Sequence, residues 1–478
     1  MTRVVVGPFN RVEGDLEVAL EVEDGAVRSA RVTSTLHRGF EEILAGKAPL
    51  DALAIVPRVC GICSVVQSVA AAGALAAAVQ AAAPRNGRLA THLAHAAENA
   101  ADHLTHFALF FMPDLARATY AGRPWHQAVE ARFQALRGSA AGEVTAARAR
   151  FLESMAILAG RWPHTLALRP GGTSRPVQPA EKVQLLLVLR AFRAFLERAI
   201  FADELERIAA LDGVPALEAW CDERAPIEGD LRLFLHAARD LGLERMGRAT
   251  DVFLSYGAFA DGGAPLFAAG VYDGAVHPLD EASIREDVRH AWLADAEPRH
   301  PSAGATQPAV DKPGAYTWCK APRLGGRVVE VGALARQVVT GHPLARDLVA
   351  RAGGNVLSRV VARVLELALL VPQMERWTMA LEPGEPFFDD AEGREEGSGC
   401  GLVEAARGSL GHWVTLRRGR IERYQIVAPT TWNFSPRDGS GAPGALEQAL
   451  VGTPVEEGAV AVQHVVRSFD PCMACTVH

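Results

Sequence analysis

The sequence lacks several features that would place it in other classes of protein. It has no excess of basic residues: 49 lysines and arginines are outnumbered by 56 aspartates and glutamates, which gives a net charge of −7. A nucleic-acid-binding protein would carry a basic stripe, so we expect no nucleic-acid partner. The chain also shows no repeat of roughly 20 to 50 residues and no low-complexity tail. We therefore expect one body, 1–478.

Targeting segments and long hydrophobic runs are missing as well. The first residues, MTRVVVGPFNRVEGD, show no cationic segment followed by an apolar stretch, so no signal peptide is visible and we expect a cytoplasmic protein. The most apolar helical stretch, 64–84, is mostly alanine and is interrupted by Gln67 and Gln80. Because alanine contributes little to bilayer insertion, we expect a buried helix and no direct membrane insertion.

The pattern of apolar residues predicts a mainly α-helical protein with small antiparallel β-sheets, an α+β fold. Residues 2–36 alternate in the manner of strands around a turn at Asp24-Gly25. Helical spacing predicts helices over 64–83, 88–112, parts of 125–160, 178–211 and 355–381. A hairpin over 412–427 should turn at Arg418-Gly419. The expected regions are a β-sheet region 1–36, a mainly helical region 37–256, an irregular region with strands 257–315, and a region 316–478 with helices, the hairpin and a C-terminal metal-binding segment.

Four of the seven cysteines form two pairs, Cys60/Cys63 and Cys472/Cys475. Two thiolates three positions apart can bind one metal where a turn enters a helix, and the positive helix end favours the thiolate. Pro57 and the alanine-rich helix provide this setting for the first pair. Structural zinc sites usually place their pairs ~12–20 residues apart, whereas these pairs are roughly 400 positions apart. Spacing alone leaves structural zinc and a catalytic soft metal both open.

The residues around the pairs favour the catalytic metal. Two segments resemble the first and last motifs of [NiFe] hydrogenase large subunits: Arg58-x-Cys60-Gly61-x-Cys63 and Asp470-Pro471-Cys472-x-x-Cys475-x-x-His478. Further family motifs occur in order between residues 11 and 433: Arg11-Val12-Glu13-Gly14, Arg38-Gly39-Phe40-Glu41, Arg169-Pro170-Gly171-Gly172, Lys320-Ala321-Pro322-Arg323, Glu330-Val331-Gly332, Arg407-Gly408 with His412-Trp413, and Pro429-Thr430-Thr431-Trp432-Asn433.

This resemblance implies a nickel–iron centre with carbon monoxide and cyanide on the iron. All four cysteines of the two pairs would bind nickel, and Cys63 and Cys475 would also bridge to iron. Soft thiolates suit redox-active nickel. The resemblance also implies H2 as substrate.

Three further residues are expected beside these metals from the resemblance. Arg323 would reach over them, held by Asp102 and Asp470 in a charge-assisted network. Thr430 and Pro322 would complete the pocket for the cyanide ligands.

Heterolytic cleavage of H2 releases a proton that needs a base. The resemblance implies that the Cys475 thiolate takes it first and that Glu13 passes it outward. A partly buried glutamate has a raised pKa and can exchange a proton near neutral pH.

A magnesium ion is also implied by the resemblance. Glu41 and His478 match its ligands, with the carbonyl of Ile426 as a third. A hard cation is suited to carboxylate and carbonyl oxygens.

Three features resemble the regulatory, H2-sensing and oxygen-tolerant type of the family. Gln67 stands where the family usually has histidine. The gas-channel positions carry the large side chains of Ile62 and Phe110, which would hinder O2 more than H2. The chain stops at His478, without the extension removed from most relatives.

The regulatory type implies slow turnover and a histidine kinase as a further partner. An uptake enzyme that feeds electrons to respiration is the alternative, with the same site chemistry. A metal-free quinone-binding scaffold, as in respiratory complex I, shares the fold, but retention of all four cysteines and His478 argues against it. Because the chain has no cysteines for iron–sulfur clusters, a small subunit must carry them in a heterodimer, or in a dimer of heterodimers.

Overall fold

The computed structural model describes residues 2–390 and 394–476, and all statements on structure concern these residues. Its strands are β1 (Thr2–Val6), β2 (Leu16–Glu23), β3 (Ala26–Ser34), β4 (Leu168–Arg169), β5 (Gly172–Thr173), β6 (Phe253–Ala258), β7 (Phe267–Tyr272), β8 (Val276–His277), β9 (Ile284–Asp287), β10 (Ala321–Leu324), β11 (Gly397–Ala405), β12 (Gly408–Arg417) and β13 (Arg420–Val427).

The α-helices are α1 (Phe40–Leu44), α2 (Ala52–Ile55), α3 (Ser64–Val79), α4 (Arg85–Thr105), α5 (His126–Phe133), α6 (Ser139–Phe151), α7 (Glu153–Ala159), α8 (Pro179–Phe195), α9 (Leu205–Ala209), α10 (Val214–Asp222), α11 (Asp230–Leu241), α12 (Ala333–Thr340), α13 (Pro343–Ala352), α14 (Val356–Ala380), α15 (Pro429–Asn433), α16 (Ala445–Leu450) and α17 (Val460–Ser468). This mixture of helices and small sheets confirms the predicted fold class.

The strands form small antiparallel sheets rather than one large sheet. Three of these sheets have the orders β1-β2-β3, β6-β7-β8 and β11-β12-β13. Asp24 and Gly25 turn β2 into β3 with φ angles of 51° and 78°, conformations that glycine and aspartate tolerate. Arg418 and Gly419 turn β12 into β13 in the same way, with φ angles of 51° and 67°. Both hairpins were predicted correctly, whereas the third strand β11 was not predicted.

Helix α3 packs directly on strand β11, and glycine makes this contact possible. A Cβ atom at Gly397 or Gly399 would lie 2.3 Å from the carbonyl oxygen of Ala78 or Ala74, and one at Gly401 would lie 2.0 Å from that of Ala70. No side chain fits in that space, so the alanine-rich helix meets bare backbone. This packing fixes the N-terminal end of α3, which follows the first cysteine pair, against the β11–β13 sheet.

Two of the predicted helices end in a π-helical turn. Helix α4 continues as a π-helix over His106–Phe111, and α8 continues as one over Leu196–Phe201. A π-turn leaves a carbonyl without its usual partner in the helix, and such turns are frequent at functional sites. The carbonyl of Phe110 accepts a hydrogen bond from Arg11 Nη1 at 3.2 Å.

The largest hydrophobic core lies between the N-terminal sheet and helices such as α4, α8 and α14. Asn355 begins α14: its Oδ1 accepts the N–H of Ser358 at 2.9 Å, and the Ser358 hydroxyl oxygen accepts the N–H of Asn355 at 2.9 Å. None of the helices in the described ranges combines the length and apolar character needed to cross a membrane.

Candidate metal centre

The two cysteine pairs meet in the structure, although they come from opposite parts of the chain. Cys60 and Cys63 follow a short 3-10 helix, Val56–Arg58, and precede α3. Their sulfur atoms lie 3.4 Å from Cys472 Sγ and 3.1 Å from Cys475 Sγ, respectively, and the Cys472 and Cys475 sulfurs are 2.9 Å apart. All four side chains are buried, and each is a free thiol. Sequence spacing predicted this meeting correctly.

The four sulfurs form a donor set that fits a soft metal. They all lie within 4.8 Å of one another. Hydrogen bonds from the other three cysteines hold the pKa of Cys60 well below its usual range, which favours a thiolate at that position. Thiolates are preferred by nickel, zinc and iron–sulfur centres, so the residues present fit a nickel–iron pair.

A loop near the N-terminus holds the second cysteine pair in place. The N–H of Glu13 donates to the carbonyl of Pro471 at 3.4 Å, and its carbonyl accepts the N–H of Met473 at 2.7 Å. Gly14, at φ 81°, passes so close that a Cβ atom there would lie 2.8 Å from the backbone nitrogen of Ala474. Glycine is therefore required at this position, and Glu13 is brought beside the cysteines.

The carboxyl group of Glu13 is suited to exchange a proton. Burial raises its pKa, and the charge of the neighbouring Cys60 raises it further, while Arg407 acts in the opposite direction. The side chain is half-buried rather than enclosed. A carboxyl group with a raised pKa can exchange a proton nearer neutral pH than an ordinary glutamate. The proton-transfer role of Glu13 stays a prediction.

The arginine beside the cysteines is Arg407. Its Nη2 donates to Asp470 Oδ1 at 3.0 Å and its Nε to the Asp470 carbonyl at 3.0 Å. Its Nη1 forms an ion pair with Asp102 Oδ2 at 3.1 Å. Arg363 also donates to Asp470, at 3.3 Å. These groups are all buried, so the two aspartates hold the guanidinium as a fixed positive charge at the cavity.

The predicted pairing of Arg323 with Asp102 and Asp470 is therefore wrong. Arg323 lies in β10 and donates to Asp438 at 2.8 Å, to the hydroxyl of Ser435 at 3.1 Å, and to the carbonyls of Pro436 and Ala442, each at 3.1 Å. It fastens the loop that follows α15.

Pro322 also lies away from the cysteines, because β10 pairs with β9 and sets Pro322 opposite Glu286. The residues that line the cavity at the cysteines include Pro429 and Thr430 instead. The expected pocket role of Pro322 is therefore wrong, and the proline that lines the cavity is Pro429.

The remaining cavity residues are placed as follows. Thr430 accepts the N–H of Cys472 on its hydroxyl oxygen at 3.0 Å. Ile62 and Gln67 line the cavity, whereas Phe110 is not among its lining residues and lies in the π-helix. The gas-channel role of Ile62 and Phe110 stays a prediction.

The residues expected to hold magnesium form a second buried polar cluster. The N–H of Ile426 donates to Glu41 Oε1 at 2.9 Å. Because Ile426 is in the edge strand β13 and its N–H points away from β12, its carbonyl points to the same edge, toward Glu41. Lys320 Nζ lies 3.1 Å from Glu41 and 3.7 Å from Glu286, and it donates to Gln425 at 2.7 Å. His478 lies outside the described residues.

This cluster fits a hard cation. Two buried carboxyl groups, those of Glu41 and Glu286, face one ammonium group. Burial raises the pKa of Glu286 to about 7, and its Oε1 is a buried oxygen without a hydrogen-bond partner among the described residues, so a bound cation would favour its ionised form. Carboxylate and carbonyl oxygens are the ligands that magnesium prefers.

Comparison with known proteins agrees with this geometry. A family model described as nickel-dependent hydrogenase matches residues 38–115 and 143–478. The periplasmic [NiFeSe] hydrogenase large subunit of Desulfomicrobium baculatum is 29% identical, with 100% of this chain and 95% of that protein covered. The uptake hydrogenase large subunit of Rhodobacter capsulatus is also 29% identical, with 100% and 95% covered.

The fold is shared with solved structures. The oxidised Ni-Fe-Se hydrogenase from D. vulgaris Hildenborough superposes with a TM-score of 0.85 at 29% identity, and 100% of each chain is covered. The family model extends over most of the chain and includes both cysteine pairs. The chain therefore belongs to the nickel-dependent hydrogenase family, as the catalytic large subunit of a [NiFe] hydrogenase.

Proposed function

We propose that this subunit binds a nickel–iron centre, cleaves H2 reversibly and heterolytically, and serves as an H2 sensor of the regulatory type. The observation that carries the catalytic part is the meeting of four buried sulfurs, all within 4.8 Å of one another, beside Glu13 and Arg407. A structural metal site would need neither a carboxyl group with a raised pKa nor a buried arginine at its edge.

The four cysteines would hold nickel, with Cys63 and Cys475 shared with iron. When bound, the metal pair supplies the redox-active site at which H2 is polarised and split. Arg407 and Thr430 place donors around the cavity, which suits cyanide nitrogens on the iron, while Ala405 and Ala406 give it an apolar wall that suits carbon monoxide.

Proton transfer would be carried by two residues of this chain. The Cys475 thiolate takes the proton first, and Glu13 accepts it and passes it toward the surface. Glu13 is placed for this because its backbone is bonded on both sides of Cys472. Arg407 stays charged between Asp102 and Asp470 and does not compete for the proton.

Magnesium would bind at Glu41 and the Ile426 carbonyl, with His478 as a further ligand. Lys320 would offset part of the carboxylate charge there. The ion would connect the C-terminal segment to β13 and α1.

A small subunit with iron–sulfur clusters would be the partner in electron transfer. Four of the seven cysteines are used at the centre, and Cys221, Cys319 and Cys400 lie apart from one another in α10, before β10 and in β11. The clusters must then come from another chain, in a heterodimer or a dimer of heterodimers.

The sensor role is supported by the cavity lining. Gln67 replaces a titratable histidine with a neutral amide, whose Oε1 lies 2.9 Å from His412 Nε2. Ile62 narrows the same cavity, which fits slow turnover and tolerance of O2. A histidine kinase in the cytoplasm would receive the signal. Uptake of H2 for respiration is the second candidate, because relatives such as that of Rhodobacter capsulatus carry this name.

The two candidates can be separated by replacing the chromosomal gene with a Glu13→Gln version. For a sensor, H2-dependent transcription of another hydrogenase should be lost, while growth on H2 returns when that other hydrogenase is expressed constitutively. For an uptake enzyme, growth on H2 should stay lost and transcription should be unchanged.

A further inference from the structure

Glu98 is a buried carboxylate at the cysteine cavity that the proposed reaction does not use. It lies in α4, is 3% exposed, and lines the cavity together with Cys63 and Cys472. Its Oε1 accepts the N–H of Val65 at 2.9 Å and the indole N–H of Trp162 at 2.9 Å. Its Oε2 accepts the N–H of Val66 at 2.8 Å.

Two of these donors belong to the first turn of α3. The first N–H groups of a helix have no partner within the helix and need an acceptor from elsewhere. Cys63 occupies the N-cap position of α3, and its side chain makes no capping hydrogen bond. The N–H groups of Val65 and Val66 instead donate to Glu98, so the cap is supplied from another helix.

The three contacts favour the ionised form of Glu98. All partners are N–H donors, so a carboxyl proton on Glu98 would find no acceptor among them. The positive end of α3 also stabilises an anion. Burial acts in the other direction and raises the pKa of Glu98 to about 8, and the charge of Cys60 adds to the rise. Glu98 is therefore mainly ionised above about pH 8, and its charge then lies in the lining of the same cavity as Cys63 and Cys472.

The loop after α7 supports the same segment from the outside. The N–H of His164 donates to Ser64 Oγ at 3.2 Å, and His164 Nδ1 lies 3.0 Å from the carbonyl oxygen of Pro57. Arg148 stacks over Trp162 with its guanidinium carbon 5.1 Å from the ring centre. Glu98 thus joins three elements around the first cysteine pair: α4, the start of α3, and this loop.

We propose that Glu98 is a positioning residue of the nickel site, which caps α3, fixes Cys60 and Cys63 in place, and sets a negative charge beside their sulfurs. This inference rests on the proposed nickel–iron centre. The role proposed for Glu98 differs from a purely structural one, because the charge on Glu98 would alter the electron density on the metals.

The test is Glu98→Gln in the assembled heterodimer. The glutamine amide keeps the shape of the carboxylate, but it replaces one acceptor oxygen with an NH2 donor that faces an N–H group. We expect hydrogen exchange at the Val65 and Val66 amides to become about 10- to 100-fold faster, because a bond to a charged group is lost. We also expect the infrared bands of carbon monoxide and cyanide, recorded at about pH 9 where Glu98 is ionised, to move to higher frequency, because a negative charge beside the thiolates is removed.

Two variants serve as controls. Glu447→Gln changes another buried glutamate, which accepts the N–H of Val32 at 3.1 Å and the hydroxyl of Tyr316 at 2.8 Å, outside the cavity. It should lower stability but leave the infrared bands and the exchange at Val65 and Val66 unchanged. Glu98→Asp keeps the charge, so its infrared bands should return toward those of the wild type.

The inference is overturned if Glu98→Gln changes neither the exchange nor the infrared bands, or if Glu447→Gln moves both equally. If Glu98→Gln does not accumulate, Trp162→Phe loosens the same carboxylate without replacing it, and the absence of faster exchange at Val65 would overturn the inference. Lack of nickel in the wild-type heterodimer would instead refute the proposed function, and the exchange measurement would still report on the cap.

Discussion

Replacement of Arg407 by lysine removes the guanidinium that joins Asp102 to Asp470 and keeps a positive charge in the cavity. Arg407 donates to the Asp470 carboxylate at 3.0 Å and to its carbonyl at 3.0 Å, and it pairs with Asp102 at 3.1 Å. A lysine ammonium is a single point and cannot keep these contacts in the same geometry.

The expected loss follows from the number of contacts. Hydrogen bonds to a charged group contribute about 1.5–3 kcal/mol each, so loss of the two bonds to Asp470 costs about 3 kcal/mol or more. If this loss falls on the reacting geometry, it corresponds to roughly 100-fold or more in rate, since about 1.36 kcal/mol is tenfold. We therefore expect the H2/D+ exchange rate of Arg407→Lys to fall at least about 100-fold.

The assay is H2/D+ exchange by the purified heterodimer, expressed per nickel atom so that loss of metal is counted separately. Arg323→Lys is the matched control, because Arg323 is equally buried and bound to a carboxylate, Asp438, at 2.8 Å. It should lower the melting temperature and leave the rate per nickel within about twofold. A large loss with Arg323→Lys and none with Arg407→Lys would refute the assignment.

Other expected outcomes concern single features of the site. Glu13→Gln should suppress H2/D+ exchange while the metals stay bound, because an amide cannot carry the proton. A normal exchange rate would show that Glu13 does not transfer the proton. Replacement of Ile62 and Phe110 by smaller residues should make the H2/D+ exchange activity decay in air. Unchanged activity after O2 exposure would refute the hypothesis that these two side chains hinder the entry of O2. In Lys320→Gln, chelation of magnesium should lower the melting temperature more than it does in the wild type. The two carboxyl groups around residue 320 lose their counter-charge in this variant, at a cost of about 3–5 kcal/mol when the ion is removed. Equal shifts of the melting temperature in both proteins would contradict this. Burial lowers the pKa of His464 to about 4, below its unfolded value of about 6.5, so its contribution to stability is complete above pH 6.5 and is lost as pH falls toward 4. Between pH 7 and pH 5, the melting temperature of His464→Phe should therefore fall less than that of the wild type. An identical fall in both proteins would contradict this expectation.

The parts of the site that could be predicted are those where residue type and local spacing decide the chemistry. Two C-x-x-C pairs indicate metal or redox chemistry by residue type and spacing alone, and the Asp24-Gly25 and Arg418-Gly419 turns have φ angles that few residues accept. These features depend on a few neighbouring residues, so the sequence around them was sufficient.

The arginine of the site could not be chosen in this way. Arg323 and Arg407 both follow small or cyclic residues in family-like motifs, and nothing local shows which of them meets Asp102. The choice is made by strand pairing: β10 joins β9 and turns Arg323 toward Asp438, whereas Arg407 lies in the turn between β11 and β12, next to Asp470.

Glu98 was missed for a similar reason. Its partners are 32, 33 and 64 positions away in the chain, and a glutamate in an amphipathic helix is usually assigned to the solvent face. The lack of a capping side chain at Cys63 was the one local sign that an acceptor must come from elsewhere.

The most direct test of the central claim is anomalous diffraction at the nickel edge from crystals of the mature heterodimer. We predict one nickel atom surrounded by the sulfurs of Cys60, Cys63, Cys472 and Cys475, with a second, lighter metal beside Cys63 and Cys475. Zinc at that position, or no metal between the four sulfurs, would contradict the account.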